Sequence, residues 1–307
     1  MNWTATDIPD LSGKIAVVTG GNSGLGFYTC LELARKGAKV IIAGRSEERG
    51  NAALAKIKSE IPTADLQFMQ LDLANIESVR HFVSSFLDSH KKLDILVNNA
   101  GVMAIPLRRT EQGFEMQFGT NHLGHFALTS LLFNCIANTP GARIVNVSSL
   151  MHKFGKINFE DLNSENSYSK WRAYSQSKLS NILFSLELDR RIRLSGIETK
   201  VMAVHPGYAS TNLQTRGGEM EGSKMNVWMN IFLNKILAQP AWKGALPSLY
   251  AASCEKAGSG KFYGPSDFGS VRGYPVEEKL NPKLTSPDVA KRLWEESERL
   301  TGIAFGV

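Results

Sequence analysis

Short apolar runs alternate with longer amphipathic segments along most of the chain. The apolar runs, such as K-I-A-V-V-T at 14–19, are rich in β-branched residues, which predicts strands buried on both faces. The longer segments repeat apolar residues at helical spacing and predict helices. Strands are predicted at 14–19, 39–43, 66–71, 93–97, 143–147 and 199–204. Helices are predicted at 24–35, 47–60, 76–89, 112–136, 172–194 and 287–300.

This alternation predicts the α/β fold class, with a doubly wound parallel sheet flanked by helices on both faces. Strands that are apolar throughout need cover on both sides, and the amphipathic helices supply it. The chain of 307 residues shows no internal repeat, low-complexity tract or linker. We therefore expect residues 1–307 to form a single domain.

Two later segments interrupt the alternation. Residues 212–244 contain an apolar stripe that we interpret as part of a substrate lid, which favours an apolar substrate. Core packing, a contact between subunits and a helix on a membrane surface are the alternatives. Residues 270–286 are rich in proline and charge, and no element is predicted there. The stripe consists of Met225, Trp228, Met229 and Phe232.

The chain carries 35 basic and 29 acidic residues, a formal net charge of +6. No dense Lys/Arg block with interleaved aromatic residues indicates nucleic acid, and the positive excess would assist capture of an anionic cofactor. Three distant cysteines, without a CxxC motif or a Cys/His cluster, predict neither disulfides nor a metal site. Because no signal peptide or bilayer-spanning apolar run is visible, we expect a cytoplasmic protein without a transmembrane segment.

A glycine-rich turn, T-G-G-N-S-G-L-G at 19–26, joins the first predicted strand to the first helix. Glycines at 20, 24 and 26 let the backbone turn tightly and leave the helix N-terminus open to a phosphate. Such a turn after the first strand of a βαβ pattern indicates a dinucleotide site.

The second strand ends in Gly44-Arg45, where an NAD site would carry an acidic residue for the ribose 2′-hydroxyl. Arg45 instead offers a planar cation to a 2′-phosphate, which favours NADP over NAD. The alternative is a surface arginine beside a permissive pocket. Asp72, after the third strand, is either an acceptor for the adenine amino group or a helix N-cap.

Further polar groups follow the later strands. N-N-A-G at 98–101, Ser149 and H-P-G at 205–207 end the fourth, fifth and sixth strands, and Thr211 comes next. Ligands of a doubly wound sheet lie across the carboxyl ends of its strands, so these motifs converge on one edge with the glycine-rich turn. Asn121, on the apolar face of a predicted helix, needs a polar partner and is either an active-site group or a satisfied core amide.

Tyr174 and Lys178 lie four residues apart and therefore share one face of a predicted helix. An ammonium beside a phenol favours the phenolate, so the tyrosine would pass its proton near neutral pH. On its own, the same spacing is also typical of a solvated helix face.

In this order, the motifs resemble the short-chain dehydrogenase/reductase (SDR) family of the classical type. The resemblance covers about 14–253 and includes T-G-x-x-x-G-x-G, N-N-A-G, the helix asparagine, the strand-end serine, Y-x-x-x-K and P-G-x-x-x-T. N-H-L-G-H-F, V-N-V-S-S-L-M-H-K-F-G and L-W-E-E-S-E-R-L resemble the retinol-dehydrogenase-like branch. The resemblance implies a single-domain Rossmann fold. It also places 150–171, part of a longer serine-to-tyrosine stretch than most members have, near the mouth of the active site.

The resemblance also implies residue roles. Tyr174 would be the general acid/base, and Lys178 would lower its pKa and bind the nicotinamide ribose. Ser149, or less favourably Ser148, would hydrogen-bond the substrate carbonyl. Asn121 would complete a proton relay through water to Lys178. With Arg45 from the strand-end pattern, the expected cofactor-binding residues are Gly20, Asn22, Ser23, Gly24, Leu25, Gly26, Arg45, Asp72, Leu73, Asn99, Ala100, Gly101, Tyr174, Lys178, Pro206, Gly207 and Thr211.

These roles imply an NADP-dependent carbonyl reductase or alcohol dehydrogenase that transfers a hydride between the nicotinamide and a small, apolar carbonyl or alcohol. An NADP-binding sensor or scaffold without turnover is the alternative, which the intact catalytic positions disfavour. An extended-type nucleotide-sugar epimerase would favour T-G-x-x-G-x-x-G. A homo-oligomer is also expected, because the helices that contain Asn121 and Tyr174 pair between subunits in many relatives.

Overall fold

The computed structural model describes residues 2–209 and 238–307. Eight strands within these ranges form one sheet: β1 (Ile15–Thr19), β2 (Lys39–Gly44), β3 (Leu66–Gln70), β4 (Ile95–Asn98), β5 (Arg143–Val147), β6 (Lys200–Val204), β7 (Phe262–Asp267) and β8 (Arg272–Glu277). Their order is β3-β2-β1-β4-β5-β6-β7-β8. Strands β1 to β7 are parallel, whereas β8 is antiparallel to β7. The strand order reverses at β1, which leaves a crevice between the carboxyl ends of β1 and β4.

Helices connect and cover the strands. A π-helical turn at Gly119–Leu123 joins the fourth helix to the fifth, and a 3₁₀ helix at Leu150–Phe154 follows β5. The α-helices of the described ranges are α1 (Gly24–Arg35), α2 (Glu47–Glu60), α3 (Ile76–Ser89), α4 (Met116–Phe118), α5 (Gly124–Ala137), α6 (Lys170–Leu194), α7 (Ala241–Gly244), α8 (Leu246–Ser253) and α9 (Pro287–Thr301).

Alternate residues of each strand pack on opposite faces of the sheet. Val18 and Val97 belong to a core that includes side chains of α1, α2 and α8. Val17 and Leu96 belong to a second core, formed with α3, α5, α6 and α9. Successive strand residues therefore both become buried, which explains why the strands are apolar throughout.

The predicted fold class is confirmed: a doubly wound sheet with helices on both faces. All six predicted strands are present, with ends that differ by one or two residues. The helix predicted at 112–136 begins later, at Met116, because Gly113 has a φ of +84° and the Glu115 side chain caps the helix. This carboxylate accepts hydrogen bonds from two amides of the first turn, at 2.7 and 2.9 Å.

The sheet departs from parallel pairing at its last strand, where β8 runs antiparallel to β7. The sequence analysis missed β7 and β8, as well as α7 and α8. Strand β8 lies at the edge of the sheet and contains Gly273 and Pro275, which give a weak local strand signal. Pairing with β7, rather than its own residue pattern, makes this segment a strand.

Helix α9 closes the second core with an aromatic cluster. The Trp294 ring lies 4.6 Å from that of Phe305 and 5.3 Å from that of Phe126, measured between centroids. The Arg191 guanidinium covers Trp294 at 4.4 Å. The C-terminal segment is thereby packed against α5 and α6, the helices on which the site described next depends.

Candidate active site

A cavity of about 680 Å³ follows the carboxyl ends of β1, β2, β4, β5 and β6. It lies where the strand order reverses, the expected position for a ligand in this type of sheet. The sequence-predicted residues that line it are Gly20, Asn22, Ser23, Gly24, Leu25, Gly26, Arg45, Asp72, Leu73, Asn99, Ala100, Gly101, Ser149, Tyr174, Lys178, Pro206 and Gly207.

The glycine-rich turn is shaped by close backbone approach. Gly20 has a φ of +66°, which favours glycine, and a Cβ on Gly26 would overlap the Gly20 carbonyl and lie 2.6 Å from the Asn99 Nδ2. Ser23 precedes α1 as its N-cap but makes no side-chain capping bond. The first amides of α1 therefore remain open toward the cavity, as a phosphate cradle requires.

Thr19 joins this turn to N-N-A-G. Its hydroxyl oxygen accepts hydrogen bonds from the amides of Asn99 and Ala100, both at 2.9 Å, and lies 2.9 Å from the His125 Nε2. The His125 Nδ1 in turn lies 2.9 Å from the Asn121 carbonyl oxygen. Sequence reasoning assigned no role to Thr19 or His125, because only the fold brings these positions together.

Two arginines line the cavity beside the carboxyl end of β2. Arg45 directly follows β2, and Arg49 reaches the same lining from the first turn of α2. The Ser46 hydroxyl accepts from the Arg49 amide at 3.3 Å and caps the helix, which fixes the start of that turn. Sequence reasoning missed Arg49, because only its place in the first turn of α2, directly after the end of β2, brings it to the cavity.

Asp72 lies in a local turn on the cavity wall. One carboxylate oxygen, Oδ1, accepts from the Ala74 amide at 3.0 Å. The alternative interpretation of Asp72 as a helix N-cap was wrong, because Asn75 caps α3. Leu73 is buried beside it, and its carbonyl occupies the space that a Cβ on Gly124 would need. Both residues line the cavity next to the carboxyl end of β3.

The two serines after β5 differ in their contacts. The Ser148 hydroxyl is buried and donates to the Lys178 carbonyl at 2.7 Å. The Ser149 side chain lines the cavity, accepts from the Met151 amide at 3.3 Å and lowers the pKa of the neighbouring Tyr174 hydroxyl. The geometry therefore favours Ser149 as the serine that meets a substrate oxygen.

Tyr174 and Lys178 are buried on the cavity side of α6, not on a solvated face. Burial raises the pKa of Tyr174 to about 12, and the hydrogen bond with Ser149 acts in the opposite direction. Burial lowers the pKa of Lys178 to about 8. Lys178 Nζ lies 5.9 Å from the tyrosine ring centroid and donates to the Val147 carbonyl at 3.1 Å.

Asn121 is fully buried in the π-helical turn and does not line the cavity. Its side-chain oxygen Oδ1 accepts a hydrogen bond from the backbone amide of Val102 at 2.8 Å. Its side-chain nitrogen Nδ2 donates to the Val102 carbonyl and to the Ser177 hydroxyl, both at 2.9 Å. A satisfied core amide, the alternative left open by the sequence, describes this side chain. Its contacts fix the backbone beside Gly101, and a part in a proton relay remains a proposal.

An apolar wall, missed by sequence reasoning, faces the Tyr174 end of the cavity. Trp171 is about half exposed, and its ring centroid lies 6.4 Å from that of Tyr174. The insertion before Tyr174 supplies part of this wall, as expected for 150–171. The apolar wall consists of Met103, Met116, Leu150, Met151 and Trp171.

The described residues fit a nicotinamide dinucleotide from end to end. Close-packed glycines, open helix amides and two arginines suit its phosphates, and the Ser149–Tyr174 pair suits chemistry at the nicotinamide end. Thr211 and the apolar stripe of 212–244 lie outside the described residues. Within 2–209 and 238–307, no group of three His, Cys, Asp or Glu side chains is arranged to hold a metal ion.

Comparison with known proteins agrees with this geometry. A family model described as short chain dehydrogenase matches residues 14–222. Retinol dehydrogenase 14 of Mus musculus is 41% identical over 317 residues, which cover 95% of this chain and 87% of the relative. Retinol dehydrogenase 13 of Homo sapiens is 41% identical over 296 residues, with 95% and 86% covered. A crystal structure of an uncharacterized protein from Mycobacterium paratuberculosis superposes with a TM-score of 0.81 at 39% identity, covering 100% of both chains.

Because burial lowers the pKa of Lys178 from 10.5 to about 8, the charged ammonium costs the folded state stability. Lys178→Met should therefore raise the free energy of unfolding at pH 7 by about 1–3 kcal/mol, as measured by urea unfolding. Val147 keeps a donor in this variant, since Asn181 Nδ2 also donates to its carbonyl at 3.1 Å.

The pH dependence checks the cause. Between pH 8 and 10.5 the folded protein releases the lysine proton before the unfolded chain does, so the wild type gains stability and its deficit relative to Lys178→Met shrinks. Lys58→Met, on the exposed surface of α2, is the control and should change neither quantity. A Lys178→Met variant no more stable than the wild type at pH 7 contradicts the prediction.

Proposed function

The chain belongs to the short-chain dehydrogenase family and to its retinol-dehydrogenase-like branch, and on that premise we propose that it is an NADP-dependent oxidoreductase that interconverts a carbonyl and an alcohol on an apolar small molecule. The observation that carries the proposal is that Ser149, Tyr174 and Lys178 line one cavity, which continues to the glycine-rich turn. Two adjacent hydroxyls at the nicotinamide end suit a substrate oxygen.

A bound nicotinamide dinucleotide would supply or accept the hydride. Tyr174, with a pKa of about 12, is a neutral phenol that can give its proton to a carbonyl oxygen. Ser149 would orient the same oxygen through its hydroxyl. Oxidation of an alcohol needs the phenolate instead, and a positive charge near the Tyr174 oxygen favours that form.

The preference for NADP rests on Arg45 and Arg49. Both line the cavity where the sheet receives the adenosine half of a dinucleotide. A 2′-phosphate would be bound by two guanidinium groups that accommodate its geometry, and no carboxylate occupies the end of β2 to select the ribose hydroxyl of NAD.

The apolar substrate is supported by the wall of Met103, Met116, Leu150, Met151 and Trp171. Methionine side chains adapt to irregular apolar shapes, and a half-exposed tryptophan at the opening offers a further apolar surface. The names of the two curated relatives specify retinol, which is an apolar alcohol.

Other aspects remain predictions. No described helix of 2–209 or 238–307 combines the length and apolar character needed to cross a bilayer, and the cytoplasmic setting is to be checked by cell fractionation. Self-association is to be checked by light scattering. A sensor or scaffold without turnover has no observation in its favour beyond those shared with the enzyme.

The test of the mechanism is Tyr174→Phe. Without the phenolic proton, kcat should fall by roughly a hundredfold or more, because positioned acid/base groups contribute on that scale. The dissociation constant of NADPH should stay unchanged. Tyr28→Phe, a tyrosine outside the cavity lining, is the matched control. Unchanged turnover in Tyr174→Phe would sink the mechanism.

The test of cofactor preference is Arg45→Ala. Loss of a charged hydrogen-bond donor should weaken NADPH binding by about tenfold or more while NADH binding stays constant. Isothermal titration calorimetry with both cofactors gives the ratio of the NADPH and NADH dissociation constants. Arg35→Ala, which removes an exposed arginine paired with Glu32 and Glu60, should leave the ratio alone. An unchanged ratio in Arg45→Ala means that the 2′-phosphate is bound elsewhere.

The substrate class is tested with a panel of carbonyl compounds, whose reduction is measured as the oxidation of NADPH. Apolar aliphatic, aromatic, steroid and retinoid carbonyls should show KM values about tenfold or more below those of hydroxylated sugars of similar size, since each buried methylene contributes roughly 0.8 kcal/mol. Preference for the sugars contradicts the apolar assignment. Tight NADPH binding without turnover of any compound favours the sensor.

A further inference from the structure

His205 of the H-P-G motif has no role in the function proposed so far. It follows β6 and directly precedes Pro206 and Gly207, which line the cavity. Its side chain is completely buried, and its ring stacks on Phe262 of β7 with centroids 5.2 Å apart. A buried histidine beside a cofactor loop must satisfy both ring nitrogens.

Both nitrogens have partners of opposite kinds. The Gly207 amide donates to Nδ1 at 3.1 Å, and Nε2 donates to Oε1 of Glu278 at 2.6 Å. An amide N–H can only donate and a carboxylate can only accept, so the two contacts fix a single tautomer of His205. Glu278 thereby keeps the lone pair of Nδ1 directed at the loop.

Gly264 provides the space for this pair. A Cβ on Gly264 would overlap both the Glu278 Oε1 and the His205 Nε2. Glu278 itself is fixed by its amide, which donates to the Phe262 carbonyl at 2.8 Å. The contact therefore depends on a glycine and a carboxylate from the hairpin of β7 and β8, far from His205 in sequence.

The rest of the loop is held by Gln239 and by the turn between β7 and β8. Gln239 Nε2 donates to the Pro206 carbonyl at 2.7 Å, and the Tyr208 amide donates to the Val271 carbonyl at 2.7 Å. Gly207 has a φ of +66°, and a Cβ there would overlap the Val271 carbonyl. His205 supplies the acceptor for the Gly207 amide, so without it this amide loses its hydrogen-bond partner.

The surroundings keep Glu278 ionised. Burial would raise the pKa of Glu278, but the hydrogen bonds from the His205 ring and the Ser270 hydroxyl, together with the Lys153 charge, act in the opposite direction, and the pKa lies below its usual range. The His152 ring lies 6.4 Å from that of His205. Its pKa is lowered to about 4 by burial, so it adds no positive charge near neutral pH.

We propose that Glu278 and His205 are positioning residues that hold the Pro206–Gly207 backbone in the conformation that binds the dinucleotide. This inference rests on the proposed cofactor function. It makes the hairpin of β7 and β8 part of the cofactor site, although no hairpin side chain lines the cavity within the described residues.

The experiment compares Glu278→Leu, Glu278→Gln and Glu277→Leu. Leucine removes the acceptor for Nε2, whereas the glutamine oxygen still accepts. Glu277 is the matched control, because its carboxylate pairs at 2.8 Å with the exposed Lys261 and does not reach the loop. NADPH affinity is measured by fluorescence titration, and exchange of the Gly207 amide by hydrogen–deuterium exchange.

Glu278→Leu should weaken NADPH binding about tenfold and accelerate exchange at Gly207. Glu278→Gln should keep most of the wild-type NADPH affinity and most of the protection of the Gly207 amide. Glu277→Leu should change neither the affinity nor the exchange rate. If Glu278→Leu fails to fold, Glu278→Asp replaces it, since its shorter side chain keeps the charge but draws back from Nε2. Its NADPH affinity should fall and its Gly207 exchange should rise.

A lower melting temperature with unchanged NADPH affinity and unchanged Gly207 exchange would mean a merely structural role and overturns the inference. Failure of the proposed function looks different: the wild type would then bind neither NADPH nor NADH. In that case the hydrogen–deuterium exchange of the Gly207 amide alone shows whether Glu278 holds the Pro206–Gly207 backbone.

Discussion

Parallel pairing of β1 with β2 on one side and β4 on the other is the constraint on which the candidate site depends. It forces the turn after β1 and the turn after β4 into one crevice, where their backbones must nearly touch. Gly20 and Gly26 permit that approach, since a Cβ on Gly20 would lie 3.1 Å from the Ala100 Cα and a Cβ on Gly26 would lie 2.6 Å from the Asn99 Nδ2. Thr19 completes the contact by accepting the amides of Asn99 and Ala100. The phosphate cradle and the floor of the nicotinamide end are therefore one packed unit, and neither can shift alone.

Several buried ionisable groups lie at the same edge of the sheet, and burial determines whether each of them is charged. Tyr174 is kept as a neutral phenol, and the pKa of Lys178 is brought to about 8. The pKa of the buried His125, lowered to about 4 by burial, leaves it uncharged, so it can link Thr19 to Asn121 through hydrogen bonds. A charged lysine in this position costs folding free energy, and the packed sheet around it offsets that cost. Stability is thus lost where chemistry is proposed, as is usual for enzymes.

Local sequence patterns predicted the parts of the site that are determined locally. Glycine spacing, strand-end position and the four-residue separation of Tyr174 and Lys178 each follow from backbone geometry and placed these residues correctly on the cavity wall. The choice between Ser148 and Ser149 required the fold, because the contacts that separate them come from α6. Strand β8 escaped prediction for a similar reason: its glycine and proline disfavour a strand, and only the neighbour β7 overrides them. Glu278 has no local signal at all, since its partner lies 73 residues earlier.

The position of the β7–β8 hairpin in the sheet also sets an order of assembly. Synthesis completes the glycine-rich turn, N-N-A-G, the serine and the tyrosine–lysine pair long before residue 278. A nascent chain that stops before β7 would contain nearly every residue that touches the cavity, yet the Gly207 amide would have neither the fixed His205 tautomer nor the wall of Val271 behind it. The last strand pair is therefore needed to hold the Gly207 amide, and a product truncated before β7 would keep the motifs but lack the Glu278 contact that orients His205.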